Sequence, residues 1–215
     1  MLSYTEENYI KTIYHLSNNA DNKGVSTKAM AEGGKTKPAS GSDMLGKLEK
    51  KMIINYIKYQ GATLTKKGKK VALQIVRKHR LWEVFLVEKL KFSWDEVHEI
   101  AEQLEHVQSE LLIERLDEFL GYPSYDPHGD PIPDGQGNIK PEDKISLDSA
   151  DIGFKGIVIG LKETTPIFLQ YLDKIGIHIG VKIAVVDKAS YDGSIELLLS
   201  NVKKHITISK EVSQN

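Results

Sequence analysis

His79 and Glu83 stand four residues apart, and Glu102, Glu105 and His106 follow His98 at offsets of four, seven and eight. On a helix those offsets bring side chains onto one face, so each set forms a single stripe. If the two helices pack antiparallel across their short connection, the six imidazole and carboxylate groups converge. Helical bundles hold divalent cations in this way, and the stripes leave room for two sites. One His/Glu pair on an acidic helix is more often a solvated surface than a ligand set. The argument for a cation rests on six such groups in two consecutive stripes.

The chain has no cysteine, which removes thiolate ligands and disulfides and leaves imidazole, carboxylate, amide, thioether and water. Such donors suit Mn2+, Fe2+, Zn2+ or Co2+, and the affinity order favours Zn2+ over Mn2+ in a test tube. A hydrolytic zinc reading fails on the residues. His98-Glu99-Ile100-Ala101-Glu102 departs from H-E-x-x-H at the second histidine, and nothing else supplies an open coordination position with a base beside it. No enzyme is expected.

Apolar periodicity supplies the elements that carry these groups. It predicts a helix over 5–17, a second from Val25 to Glu32 with Ser26 as N-cap, and a third from about Pro38 to Lys51. Gly33 and Gly34 between the last two suit a helix-turn-helix. Ile53–Tyr59 and Ala62–Leu64, joined by Gln60-Gly61, read as the two strands of a wing. Thr65 then caps a long helix to about Lys91, Ser93 caps another to about His106, and a further helix covers about 109–120. Five of the seven prolines fall within 121–143 and end regular structure there. Beyond them the chain is rich in Ile, Val and Leu, with Asp192-Gly193 as a hairpin turn and a short helix near Pro166, and reads as a small β-barrel. The expected fold is α+β: a winged helix-turn-helix over 1–72, a helical metal-binding domain over 73–143, which the resemblance named below makes the dimerisation domain as well, and a β-barrel over 144–215.

Charge is divided along these lines. Residues 1–80 hold 16 Lys/Arg against 6 Asp/Glu, 81–145 hold 5 against 16, and 146–215 hold 8 against 8. A basic block suits a polyanion and an acidic block suits cations. In the third helix the leading stretch Thr36-Lys37-Pro38-Ala39-Ser40-Gly41-Ser42-Asp43 can enter a major groove. Ser40 and Ser42 would reach bases or phosphates, while Lys35, Lys37 and Lys47 meet the backbone. Tyr56, Lys58, Tyr59 and Gln60 on the wing can hold phosphates. With no apolar run of 18 residues and an acidic N-terminus, the chain is expected to be cytoplasmic, with no membrane partner.

Several stretches resemble the diphtheria-toxin-repressor family of iron- and manganese-dependent repressors. They are Thr5-Glu6-Glu7-Asn8-Tyr9-Ile10-Lys11-Thr12-Ile13-Tyr14, Lys37-Pro38-Ala39-Ser40 with Asp43-Met44-Leu45, Arg77-Lys78-His79-Arg80-Leu81, Glu105-His106-Val107, and Asp126-Pro127-His128-Gly129-Asp130-Pro131-Ile132-Pro133. The resemblance implies an SH3-like C-terminal barrel and a homodimer on a palindromic double-stranded operator. It also implies repression that depends on Mn2+ or Fe2+ and controls metal homeostasis. The alternatives are a winged-helix regulator with a structural metal only, or a zinc metalloenzyme. It further implies an ancillary metal set at His79, Glu83 and His98, and a primary set at Glu102, Glu105 and His106 with Asn8 from the first helix. Glu102 matches the manganese branch, where iron-type members carry Cys. Asn8 stands where those branches carry Met or Asp. Glu163-Thr164-Thr165-Pro166-Ile167 departs from the stretch that lends two further ligands in some relatives. Gly41 replaces a β-branched residue, and interior glycines lower a helix's stability by about 1 kcal/mol each.

Overall fold

The computed structural model describes residues 2–18, 24–26, 29–30, 38–57, 60–139, 143–200 and 202–215, without the side chains of 18, 38–40 and 42. The chain forms two compact units. The first comprises Met1–Trp82, Ala101–Leu116 and Ile132–Ile139; the second comprises Glu83–Ile100, Asp117–Pro131 and Lys140–Asn215.

Helix α1 (Tyr4–Asn18) opens the first unit with reciprocal capping. The Ser3 backbone N–H donates to Glu6 Oε2 at 2.8 Å, and the Glu6 N–H donates to Ser3 Oγ at 3.4 Å. Its apolar stripe of Tyr9, Ile10, Ile13 and Tyr14 is buried among Leu45, Leu48, Ile53, Ile54 and Val76. Ser26 caps a helical turn, its Oγ accepting from Ala29 N–H at 3.1 Å. Val25, expected as that helix's first residue, instead pairs with Ala62 as an antiparallel bridge. Helix α2 (Pro38–Lys50) follows, with Lys47 and Lys50 at its C-terminal end, where the helix dipole favours cations. Strands β1 (Ile54–Ile57) and β2 (Gly61–Leu64) pair antiparallel, Ile54 opposite Leu64 and Ile57 opposite Gly61. Gly61 sits at φ 100°, and a Cβ there would lie 2.6 Å from the Val25 carbonyl oxygen. The bridge to Val25 therefore requires glycine at this strand end.

Helix α3 (Lys66–Glu88) starts where expected. Thr65 Oγ1 accepts from the Gly68 N–H at 3.0 Å and donates to the Met52 carbonyl at 2.8 Å, so the cap also fastens the helix to the wing. It stops short of Lys91, which adopts φ 63°. Helix α4 (Val97–Leu104) is shorter than the periodicity suggested, because Ser93–Glu96 closes a turn (Glu96 N–H to Ser93 C=O, 3.1 Å) before it. Helix α5 (Glu110–Phe119) follows. In the second unit, strands β3 (Lys155–Ile157), β4 (Lys182–Lys188), β5 (Ile195–Leu199) and β6 (Lys204–Ile208) form one antiparallel sheet in chain order. This is the SH3-like C-terminal domain. Helix α6 (Pro166–Ile175), with Pro at its first turn and Gly176 at φ 85° closing it, and helix α7 (Lys210–Gln214) flank the sheet. Leu172, Ile183, Leu197 and Ile208 are among its core. Among the described residues no helix is long and apolar enough to cross a membrane.

Glycines inside helices divide by their surroundings. A Cβ at Gly46 would meet nothing within 4 Å, whereas one at Gly68 would lie 1.9 Å from the Ile53 carbonyl oxygen. Gly46→Ala is expected to raise stability by about 1 kcal/mol, a Tm gain of about 2–4 °C. Gly68→Ala should lower it by about 1–3 kcal/mol through overpacking. Chemical denaturation of the two variants checks both signs.

Candidate metal centre

Glu105 is the most enclosed of the six stripe residues, fully buried in the first unit. It and His106 lie in the turn that ends α4; the Glu105 N–H still donates to the Ala101 carbonyl at 2.9 Å. Leaving the helix here separates two side chains that are adjacent in sequence. Glu105 Oε2 points to α3, 2.6 Å from His79 Nδ1, and to α1, 2.6 Å from Lys11 Nζ. His106 points to the start of α1, its Nδ1 2.6 Å from Glu7 Oε2. Lys11 Nζ also donates to Glu102 Oε1 at 2.6 Å. The stripe read from the sequence is thus shared out: His79, Glu102 and Glu105 place ligand atoms within 4.8 Å of one another, and His106 turns to α1.

Glu7 does for His106 what an oriented partner does for a metal-bound imidazole. A carboxylate only accepts, so the Nδ1 contact puts a ring proton on Nδ1 and turns Nε2 inward. Gln108 Nε2 donates to Glu7 Oε1 at 2.9 Å, and the Tyr4 ring covers His106 at 3.8 Å between centroids. His106 Nε2 lies 3.7 Å from Glu105 Oε1. These two atoms and Asn8 Oδ1 are buried without a hydrogen-bond partner among the described residues. Buried acceptors are normally answered. An amide oxygen, a carboxylate oxygen and an imidazole nitrogen left unanswered are the donor set a hard or borderline divalent cation takes, so the residues present fit such an ion. Burial of Lys78 lowers the pKa of its amine, against the charges of Glu7 and Glu105, which raise it.

Two other predicted ligands lie in the second unit. Glu83 Oε1 is 3.5 Å from His98 Nδ1, whose side chain is 58% exposed. Glu83, Asp126 and His128, all buried, also place ligand atoms within 4.8 Å of one another. Asp126 and His128 were absent from the ligand reading of the sequence. They sit in a proline- and glycine-rich turn where no helical spacing marks them, and an Asp-x-His pair was the only sign available. Asp126 Oδ1 accepts from the His128 and Asp130 N–H groups at 2.8 and 2.9 Å. Gly129 at φ 84° lets the loop approach the Ile159 carbonyl, which a Cβ would meet at 2.1 Å. Burial, the largest influence on His128, pulls its pKa down. Glu83, Asp126 and the Trp94 carbonyl together outweigh it and push the value up to about 9.

Of the residues expected to meet DNA, Lys35, Thr36, Lys37 and Tyr59 lie outside the described residues. Pro38, Ala39, Ser40 and Ser42 fall in α2 with side chains likewise outside the description. Asp43 and Lys47 are exposed on α2.

Fold and cluster together define a winged-helix protein whose first helix adjoins a buried carboxylate–imidazole cluster. Comparison with known proteins narrows that class. Iron dependent repressor models match residues 1–62 (N-terminal DNA binding domain) and 65–134 (metal binding and dimerisation domain), and a FeoA domain model matches 145–215. A manganese-dependent transcriptional repressor solved in complex with manganese superposes with a TM-score of 0.84 at 33% identity, covering 97% of this chain and 96% of that one. The iron-dependent repressor IdeR of Mycobacterium tuberculosis is 36% identical over 132 residues, 60% of this chain and 55% of IdeR. A probable metal transport system membrane protein of Chlamydia trachomatis is 44% identical over 84 residues, 39% of this chain and 18% of that protein. The aligned stretches thus span about half, or less, of the length of these curated relatives. The chain belongs to the family of iron- and manganese-dependent repressors.

Two outcomes follow from the geometry. Glu7→Gln keeps the shape but weakens the hold on His106, and should reduce divalent-metal affinity about 10–100-fold by calorimetry, with the fold intact by circular dichroism. In chelator, the raised pKa of His128 contributes stability that is complete below about 6.5 and lost as pH rises through about 9. His128→Gln should flatten that part of the Tm profile between about pH 6 and pH 10.

Proposed function

We propose that this protein is a DNA-binding transcriptional repressor activated by Mn2+ or Fe2+, acting in the cytoplasm as a homodimer on a palindromic operator to control metal homeostasis, and that it is not an enzyme. The observation that carries the reading is that Asn8 Oδ1, Glu105 Oε1 and His106 Nε2 are buried without a hydrogen-bond partner among the described residues. One comes from the helix that packs in the winged-helix core and two from the turn after α4. Asn8, Glu105 and His106, with Glu102 beside them, hold the activating ion in this reading. Zn2+ and Co2+ are taken in vitro for the same reasons of ligand chemistry. Glu83 and His98 serve a further ion, with Asp126 and His128 supplying the buried part of its shell, and His79 belongs to the cluster around Glu105.

A bound divalent ion supplies positive charge that the buried carboxylates require. The protein's own part is positional. Asn8 belongs to α1, whose Tyr9, Ile10 and Ile13 are core residues of the DNA-reading unit, so fixing Asn8 against His106 fixes that helix. In this reading Lys35, Thr36, Lys37, Pro38, Ala39, Ser40, Ser42, Asp43 and Lys47 meet the groove, and Tyr59 meets the phosphates. Leu111 and Leu112 on α5 are exposed apolar residues, suited to burial against a second copy. In a twofold dimer the two reading helices must lie about one DNA turn, roughly 34 Å, or a multiple of it apart.

A duplex selected from a random pool in Mn2+ gives the probe. Wild-type protein should bind it about 10–100-fold more tightly with Mn2+ or Fe2+ than with chelator, and Glu105→Gln should lose that response while staying folded. Metal uptake with unchanged DNA affinity would leave a structural metal only.

A further inference from the structure

Glu105 has two sides, and only one is unanswered. Its Oε1 faces His106 Nε2, and neither atom has a hydrogen-bond partner among the described residues. Its Oε2 faces a group that already contains a cation. Lys11 Nζ lies 2.6 Å from Glu105 Oε2, 2.6 Å from Glu102 Oε1 and 3.2 Å from His79 Nδ1. Those three residues are themselves a set whose ligand atoms fall within 4.8 Å of one another. The two oxygens of one buried carboxylate therefore face different groups, and a lysine stands among the second.

We propose that Lys11 is a built-in counter-ion. It takes the position among His79, Glu102 and Glu105, so that the cluster admits one divalent ion, at Asn8, Glu105 and His106, and excludes a second. The inference rests on the metal-site reading given above. Lys11 is 8% exposed and Glu105 is fully buried, so the ammonium cannot swing to water without uncovering its stem, and leaving would strip two carboxylates of their partner. Two of its N–H groups donate to Glu102 and Glu105, and His79 Nδ1, 2.6 Å from the same Glu105 oxygen, donates to that carboxylate as well. A divalent ion among the same atoms would face a fixed positive charge at contact distance in a poorly screened site. Lys11 also lies three residues after Asn8, on the same face of α1. One helix thereby offers a ligand to the first position and closes the second. The lysine further explains how Glu102 and Glu105 can sit together before any metal arrives.

The test compares the full-length wild type with Lys11→Met, which keeps the stem and removes the charge, and with Lys11→Gln. Manganese content after equilibrium dialysis should rise by one ion per protomer in the variants, and their Tm in chelator should fall relative to wild type. Anomalous maps of Mn2+-soaked wild-type crystals should show an ion at Asn8, Glu105 and His106 and none among His79, Glu102 and Glu105. A wild-type peak at the latter three residues overturns the proposal even if both variants fail to fold, and so does variant stoichiometry equal to wild type. Wild-type protein with no manganese at Asn8, Glu105 and His106 overturns the metal-site reading as well, which the map distinguishes from failure of the lysine's role alone.

Discussion

A carboxylate with no exposed surface must be neutralised or answered from every side, and Glu105 places that demand at the centre of the first unit. The surrounding elements meet it unequally. Helix α3 brings His79 and helix α1 brings Lys11 to one oxygen. The other oxygen is left facing Nε2 of His106, a ring that Glu7 has oriented from the far side. The end of α4 makes this possible. The turn lets Glu105 remain in the interior while His106 reaches back to the first turn of α1.

Helix α1 carries two roles on its two faces. Ile10, Ile13 and Tyr14 pack into the core with Leu45, Leu48 and Ile53. Glu7 and Lys11 meet the cluster. The Ser3/Glu6 capping pair and the ion pair from Glu6 to Lys51, at 2.7 Å, hold the same helix end from outside. The H-bond with Lys51 is the main reason the Glu6 carboxyl titrates below its usual range. Helix α1 thus packs into the winged-helix core on one face and meets the carboxylate–imidazole cluster on the other.

The second unit builds its cluster from a loop. Glu83 comes from α3, but Asp126 and His128 come from a turn whose shape depends on an Asx hydrogen-bond pair and a left-handed glycine. His128 Nε2 reaches the Trp94 carbonyl at 2.8 Å, and the Trp94 ring stacks over it, 6.1 Å between centroids. The imidazole is therefore fixed before any cation is considered.

Much of this was legible in the residues alone. Period-3.6 stripes located α1, α2, α3 and the helical part of α4, and the caps Ser26 and Thr65 fell where side-chain oxygens were needed. The glycines and prolines of 121–143 marked the break before the sheet. Those features are local, set by spacing within a few turns, and so are written in the sequence. What the sequence could not decide was partnership. Glu83 faces not only His98, which the helical spacing suggested, but also His128 from a loop about forty-five residues further on. Lys11 read as an ordinary cation of a basic block until the fold enclosed it among acids from a helix about ninety residues away. Side-chain types and faces follow from local periodicity, whereas which charge answers which depends on distant segments brought together by packing, and that was settled only when the helices closed around Glu105.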